Sequence, residues 1–355
     1  MKRTTKYVGL DVHQATTVAS VRDPSGRVIA RVILPTEAAA LVEFFQGMRG
    51  TVRAAFEEGT QAQWLHDLLG PIADDVIVCD RRGERRRRGN KADQSDADDL
   101  SHRLRTGDLR SVYHGSSDRR DLQELARAYL NLVEDSTRSM QRLKALFRAR
   151  AIRTSGKRLY APAHRQEWLD RLPDQGARLR AEMLYAEIDL LRDLRPRAKA
   201  AMVTEARRDP AWPVLKSIPF YGSVRVSVLL AVMKTPWRFR TKRNLWAYAG
   251  LAVVTETSAE HDFHAGRPVR KRRKPLTRGL NRNHNRILKD IFKSTAISCL
   301  GRPGPFRDLY EDKLARGMRP EMARLTLARK FAALTLRLWK TGEPYDPAKL
   351  TTRAV

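Results

Sequence analysis

Two cysteines, Cys79 and Cys299, are all that the 355 residues contain. So few thiols, so far apart, exclude a disulfide framework and a cysteine-rich zinc site, which fits a reducing compartment. No apolar run reaches the roughly 18 residues needed to span a bilayer. The opening residues MKRTTKYVGLDV enter a strand-like pattern without the apolar core of a signal peptide. The expectation is a soluble, cytoplasmic protein with no membrane partner. Fixed-period repeats and long low-complexity segments are also missing. Acidic side chains are scarce, with 40 Asp and Glu against 69 Lys and Arg, a net charge of +29. Such a surplus opposes compactness unless a counter-charge is usually present, so a polyanion, nucleic acid first, is the expected partner. The plainer alternative is a solvated basic surface on an ordinary protein. At 42% hydrophobic residues the chain can build real cores, and its length allows two or three domains.

The first hundred residues alternate strand and helix signals. KYVGLDV, TTVASVRD and RVIARVIL read as a short antiparallel meander, with DPSG (23–26) as its first turn. Thr36 is placed to cap a helix running to about Met48, TVRAAFEE (51–58) reads as a strand, TQAQWLHDLL as a helix, and DVIVCD (75–80) as a buried strand. A further helix is expected from about Ala92. The order β-β-β-α-β-α-β-α is that of the ribonuclease H-like fold. From about Ser117 the apolar spacing predicts two long amphipathic helices, the second containing Pro196, that form a hairpin or coiled coil within or between subunits. Beyond Pro210 the pattern is mainly helical. A stretch at 252–280 reads as loop and carries the basic run RPVRKRRK, and HDFH (261–264) is taken as part of that loop. The expected division is 1–112, 113–208 and 209–355.

The densest basic run is followed at once by carboxylates, in RRGERRRRGNKADQSDADDL (81–100). At about 100° per residue a helix over 92–106 aligns Asp93, Asp96, Leu100 and Leu104 on one stripe, with Asp98 opposite. Leu100 and Leu104 must face a core, so Asp93 and Asp96 face the sheet, where a cation offsets the cost of burying them. Asp11 lies in the first strand, and Glu57 and Glu58 end a strand that neighbours it in a ribonuclease H-like sheet. Oxygen donors with no Cys or His nearby suit Mg²⁺ or Mn²⁺ rather than zinc, and paired ions of this kind serve phosphoryl transfer. The arginines would hold a phosphate backbone alongside. The competing reading is that these aspartates favour a helix N-terminus and pair with arginines, and Asp98 and Asp99 are expected to do only that. Trp237, Trp246, Tyr248 and Phe263 lie near the second basic run, and core packing is the favoured role over stacking on bases.

At YVGLDVH, FEEGTQAQW, NKADQSDADDL and SIPFYG…LWAYAGLAVVTETSAEH, in that order and over nearly the whole chain, the sequence resembles the DEDD transposases of the insertion sequence 110 group, RNA-guided DNA recombinases. The resemblance implies a ribonuclease H-like (RuvC-like) domain with the tetrad Asp11, Glu58, Asp93 and Asp96 as catalytic metal ligands for Mg²⁺, with Mn²⁺ possible. Trp64, six residues on, selects Glu58 over Glu57. A helical coiled-coil region would follow, then a mainly α-helical transposase domain whose nucleophile falls on Ser258, with Thr257 as fallback. Implied partners are donor and target DNA, a structured guide (bridge) RNA, and further copies of the chain as a dimer assembling to a tetramer on DNA. Two departures stand out: Ala259 replaces the usual glycine after the serine, and PFYG (219–222) replaces the usual PGIG turn. The rivals are a metal-dependent, RuvC-like nuclease with an inert Ser258, and a non-catalytic nucleic-acid-binding protein.

Overall fold

Alternating burial builds the first sheet. In β1 (Thr5–Val12) Val8 and Leu10 are fully buried on one face, while Gly9 and Asp11 point to the other. The computed structural model describes residues 4–80, 93–115, 119–256, 261–264, 266–270 and 276–351. They form two compact units, Met1–Ser117 and Asp118–Val355.

In the first unit β1 is followed by β2 (Thr16–Arg22), β3 (Val28–Pro35), α1 (Ala38–Gln46), β4 (Thr51–Glu57), α2 (Ala62–Leu69), β5 (Asp75–Cys79) and α3 (Asp93–Thr106). The sheet order is β3-β2-β1-β4-β5, with β1, β4 and β5 parallel and β2 antiparallel to both β1 and β3. Element order and topology are those of the ribonuclease H-like fold. Val8 and Leu10, with Val52, Ala54 and Phe56 of β4, pack against Leu41 and Phe45 of α1 and Leu65 and Leu69 of α2. The opposite face receives α3. Thr36 does not cap α1, whose N-cap is Glu37; its hydroxyl donates to the His13 carbonyl and pairs with Thr17 Oγ1, tying two loops together instead.

The second unit opens with α4 (Arg120–Arg148), then the short α5 (Arg165–Leu169) and α6 (Gln175–Ala206), which runs on through Pro196. α4 and α6 form an antiparallel hairpin. Leu122 and Ala126 share a core with Met202 and Ala206, and Leu143 and Phe147 share another with Ala177 and Ala181. The two long helices expected within 113–208 thus lie inside this unit. There follow α7 (Trp212–Lys216), α8 (Ser223–Met233), α9 (Lys242–Tyr248), β6 (Val253–Glu256), β7 (His261–His264), β8 (Arg267–Arg270), β9 (Leu276–Leu280), α10 (Arg286–Ser298), α11 (Pro305–Ala315) and α12 (Pro320–Thr341). α8, α10 and α12 meet in the largest core, around Leu229, Phe292 and Phe331.

The loop expected at 252–280 holds four short strands. β6 pairs with β9, and β7 with β8 in register His264↔Arg267. Gly266, just before β8, has φ +74°, a conformation that glycine permits. HDFH is therefore a strand. Among the described residues no helix is long and apolar enough to cross a membrane.

Candidate active site

Glycine sets the geometry. A Cβ added at Gly9 would lie 2.3 Å from the Ala97 carbonyl oxygen and 2.4 Å from the Ser101 nitrogen, so α3 rests directly on the β1 backbone. Its sheet-facing stripe is Ala97, Leu100, Ser101 and Leu104, all buried. α3 runs antiparallel to β1. Asp98 and Ser101 meet Ser20 and Arg22 of β2, and Arg105, farther along, reaches the Pro24 carbonyl. The helix N-terminus therefore lies toward the strand ends that carry Asp11 and Glu57.

Asp11 shares the α3 face with Gly9, two residues earlier. Its Oδ2 sits 3.2 Å from His13 Nε2, and its side chain is 17% exposed. β1 and β4 pair in parallel with Gly9 beside Ala55 and Leu10 beside Phe56, so the register brings Glu57 next to Asp11 on the α3 face. Glu58 follows the last strand residue. Its amide donates to the Cys79 carbonyl, and its carboxylate lies 2.6 Å from Nε2 of His114, whose Nδ1 meets Gln63. His114 arrives there because Ser111 and Val112 pair with β5 after α3 ends.

On α3, Asp96 and Asp98 flank Ala97 in opposite directions. Asp98 turns to the β2–β3 side, where Ser20 donates to it and Arg31 holds it bidentately, with Nη2 at 2.7 Å. Burial pushes its carboxyl up, but the bonds from Arg31 and Ser20 and the nearby charges outweigh this and hold it below the ordinary range. Asp98 is therefore a clamp between helix and sheet; it lies on the flank of the buried stripe, not opposite it, because its short side chain meets partners on neighbouring strands. Asp99 pairs with Arg103 at 3.8 Å. Asp96, half-buried, takes the other flank, the side on which β4 ends. Asp93 is the first residue of α3, and its side chain lies outside the described residues.

Asp11, Glu57 and Asp96 are hard oxygen donors suited to Mg²⁺ or Mn²⁺. Among the described residues no group of three His, Cys, Asp or Glu side chains is close enough to hold a metal ion. Ser258 and Thr257, in the segment joining β6 to β7, and the arginine run 81–88 lie outside the described residues. Of the aromatic residues, Trp246 donates to the Arg329 carbonyl and Tyr248 packs on Phe239, as expected of core positions. Trp237 does not pack: its side chain is 71% exposed, with the Lys340 ammonium 5.3 Å from the ring centre. His13 and His114 were not singled out from the sequence. His13 lay in view two residues after Asp11, whereas nothing in the sequence links His114 to Glu58.

A ribonuclease H-like sheet with carboxylates at the ends of two adjacent strands, followed by a mainly helical unit, is an arrangement suited to metal-dependent chemistry on phosphodiesters. Family profiles agree. One described as "Transposase" of the DEDD insertion sequence 110 type matches residues 8–150, and one described as "Transposase IS116/IS110/IS902 family" matches residues 213–283. Similar relatives include the 44.8 kDa protein of insertion element IS116 of Streptomyces clavuligerus, 26% identical over 41% of this chain. The 43.6 kDa protein of insertion element IS110 of Streptomyces coelicolor is 30% identical over 39%. The matched stretches span 34% and 31% of those proteins. The chain belongs to the insertion sequence 110 family of DEDD transposases.

Proposed function

We propose that this protein is the DNA recombinase of an insertion sequence, guided by a structured RNA to donor and target DNA. The observation that carries the reading is the gathering of Asp11, Glu57 and the α3 N-terminus at one end of the sheet in a chain whose two units each match the transposase family. The acidic set is Asp11, Glu57, Asp93 and Asp96. We assign Glu57 to this set in place of Glu58; the β1–β4 register, which carries Glu57 to the α3 face, and the contact of Glu58 with His114 support that choice. When bound there, Mg²⁺ or Mn²⁺ supplies polarisation of a phosphate oxygen. The carboxylates would hold the ions that face the scissile phosphate. Ser258 Oγ gives up its proton as it attacks phosphorus, the bond to the 3′ oxygen breaks, and that oxygen takes up a proton as it leaves; reversal on a new 3′ hydroxyl rejoins the strand. Nucleophile and guide RNA rest on the family resemblance, and the net charge of +29 supports holding two polyanions at once.

Strand exchange needs more than one serine, so the working form is a dimer that pairs into a tetramer on DNA. Support for self-association is a stripe on α6: Leu179, Met183, Ala186 and Leu190 recur at spacings of four, three and four and are exposed, the heptad pattern of a coiled coil.

The test is a labelled DNA incubated with protein and guide RNA. A denaturation-resistant protein–DNA adduct is expected in the wild type and in Thr257→Ala, and none in Ser258→Ala. Hydrolytic ends without an adduct would make the protein a metal-dependent nuclease. Asp11→Asn and Glu57→Gln should abolish strand cleavage while keeping DNA binding; unchanged cleavage in both would take these carboxylates out of the chemistry, and binding without cleavage by the wild type would leave a non-catalytic binder.

A further inference from the structure

The turn between α7 and α8 combines strain with unneutralised charge. Phe220 has φ +68°, a left-handed conformation that a bulky residue adopts only when its surroundings hold it. What holds it is Arg225, whose Nη1 donates to the Phe220 carbonyl at 2.7 Å while Nη2 donates to Ser298 Oγ at 3.1 Å. The guanidinium is thus fixed in place without a carboxylate. Two clefts meet at this point, and Gly222 and Arg225 line both. The first, of about 530 Å³, adds Lys216 and Arg302. The second, of about 880 Å³, adds Lys199 and Arg207.

Among the described residues no acidic side chain lines either cleft. Elsewhere in this unit arginines are routinely paired, as Arg119 is with Asp209 and Arg165 with Asp189. Among the described residues Lys199, Arg207, Lys216 and Arg302 have no carboxylate partner. Gly222 caps α8 without any side-chain hydrogen bond, so the first amides of that helix face the same junction with their donors open. Four exposed cations around one fixed guanidinium, with no acid among the described residues of the clefts, fit a chain of phosphates better than a single small anion.

We propose that the two clefts form one groove for the phosphodiester backbone of a nucleic-acid strand, which crosses the α8 N-terminus beside Arg225 with phosphates on either side. Contacts there are to phosphate, so they position the strand without reading its sequence. The inference rests on the reading of the protein as a nucleic-acid enzyme, and it adds a binding site distinct from the acidic residues.

The experiment measures binding of a fluorescein-labelled 30-base-pair random duplex and, separately, of a 30-nucleotide single-stranded RNA, across a salt series. Lys216→Gln/Arg302→Gln and Lys199→Gln/Arg207→Gln are compared with Arg153→Gln/Lys157→Gln, which removes the same charge from exposed positions at the far end of the hairpin. All six side chains sit at the surface, and equal melting temperatures confirm intact folds. Each groove variant is expected to lower the slope of log affinity against log salt by about two and to weaken binding roughly tenfold, with the control pair near wild type. A loss confined to the duplex assigns the groove to DNA, and one confined to the RNA assigns it to the guide. Groove variants that match the control pair in both arms overturn the proposal while leaving the serine-adduct test standing. A wild-type protein that binds neither probe overturns both.

Discussion

Adding one methyl group at Gly9 should separate folding from chemistry. Its Cβ would lie 2.3 Å from Ala97 O, 2.4 Å from Ser101 N and 2.9 Å from Leu100 Cβ, and the first two are backbone atoms that no rotamer change can move. Restoring ordinary contact requires α3 to retreat by about 1 Å, an overpacking strain of roughly 2–3 kcal/mol. The retreat also loosens the bonds from Arg31 and Ser20 to Asp98 and from Arg22 to Ser101. For a unit of this size the expected fall in melting temperature is about 10 °C. Because Asp96 rides on the displaced helix, strand cleavage should fall by about 100-fold, the cost of a misplacement of about 1 Å in a reacting constellation. Calorimetry and a cleavage time course read the two effects. Gly47→Ala is the control, since its Cβ would meet nothing closer than 3.4 Å and its φ is −68°. A Gly9→Ala protein that melts and cleaves like wild type would refute the seating of α3 on β1 and the site built from it.

Asp98 has a depressed pKa, so its clamp contributes stability in full above the ordinary carboxylate value of 3.8 and loses it as pH falls through that value toward the folded one. Asp98→Asn should flatten the acid limb of a melting-temperature profile, and an unchanged limb would contradict the clamp. Burial pushes the Cys299 thiol up to about 11, and Cys79 is buried as well, so a thiol reagent at pH 8 should react with neither until the protein unfolds. Tyr221→Phe removes a buried 2.6 Å hydrogen bond to Thr335 Oγ1, which still donates to the Phe331 carbonyl, and should cost about 1 kcal/mol in denaturant unfolding; no loss would contradict that bond.

The eight-element order of the first unit was legible because each element carries its own period, as in RAAFEE or the spacing of Leu100 and Leu104. What escaped depends on register between elements. Whether Glu57 or Glu58 faces α3 is decided by one step of parity, fixed by the pairing of Gly9 with Ala55, and an aromatic residue downstream carries no such information. That Asp98 pairs with an arginine was foreseen, but a helical wheel could not show that Arg31 and Ser20, more than sixty residues away, are its partners and make it a clamp to the sheet. The strands β6 to β9 are four or five residues long and several include basic side chains, so no apolar alternation announced them. Exposure of Trp237 was likewise invisible, since large aromatic residues in a sequence are assigned to cores by default.

The central claim is that Asp11, Glu57 and the start of α3 hold divalent ions against a DNA phosphate. Crystals of the protein with a short DNA duplex, grown in Mn²⁺ and measured at the manganese absorption edge, locate those ions directly. The account predicts an anomalous peak ligated by Asp11 and Glu57 at the α3 N-terminus, absent in Asp11→Asn. A peak held by Glu58 instead would contradict the assignment of Glu57, and no peak at that end of the sheet would contradict the site itself.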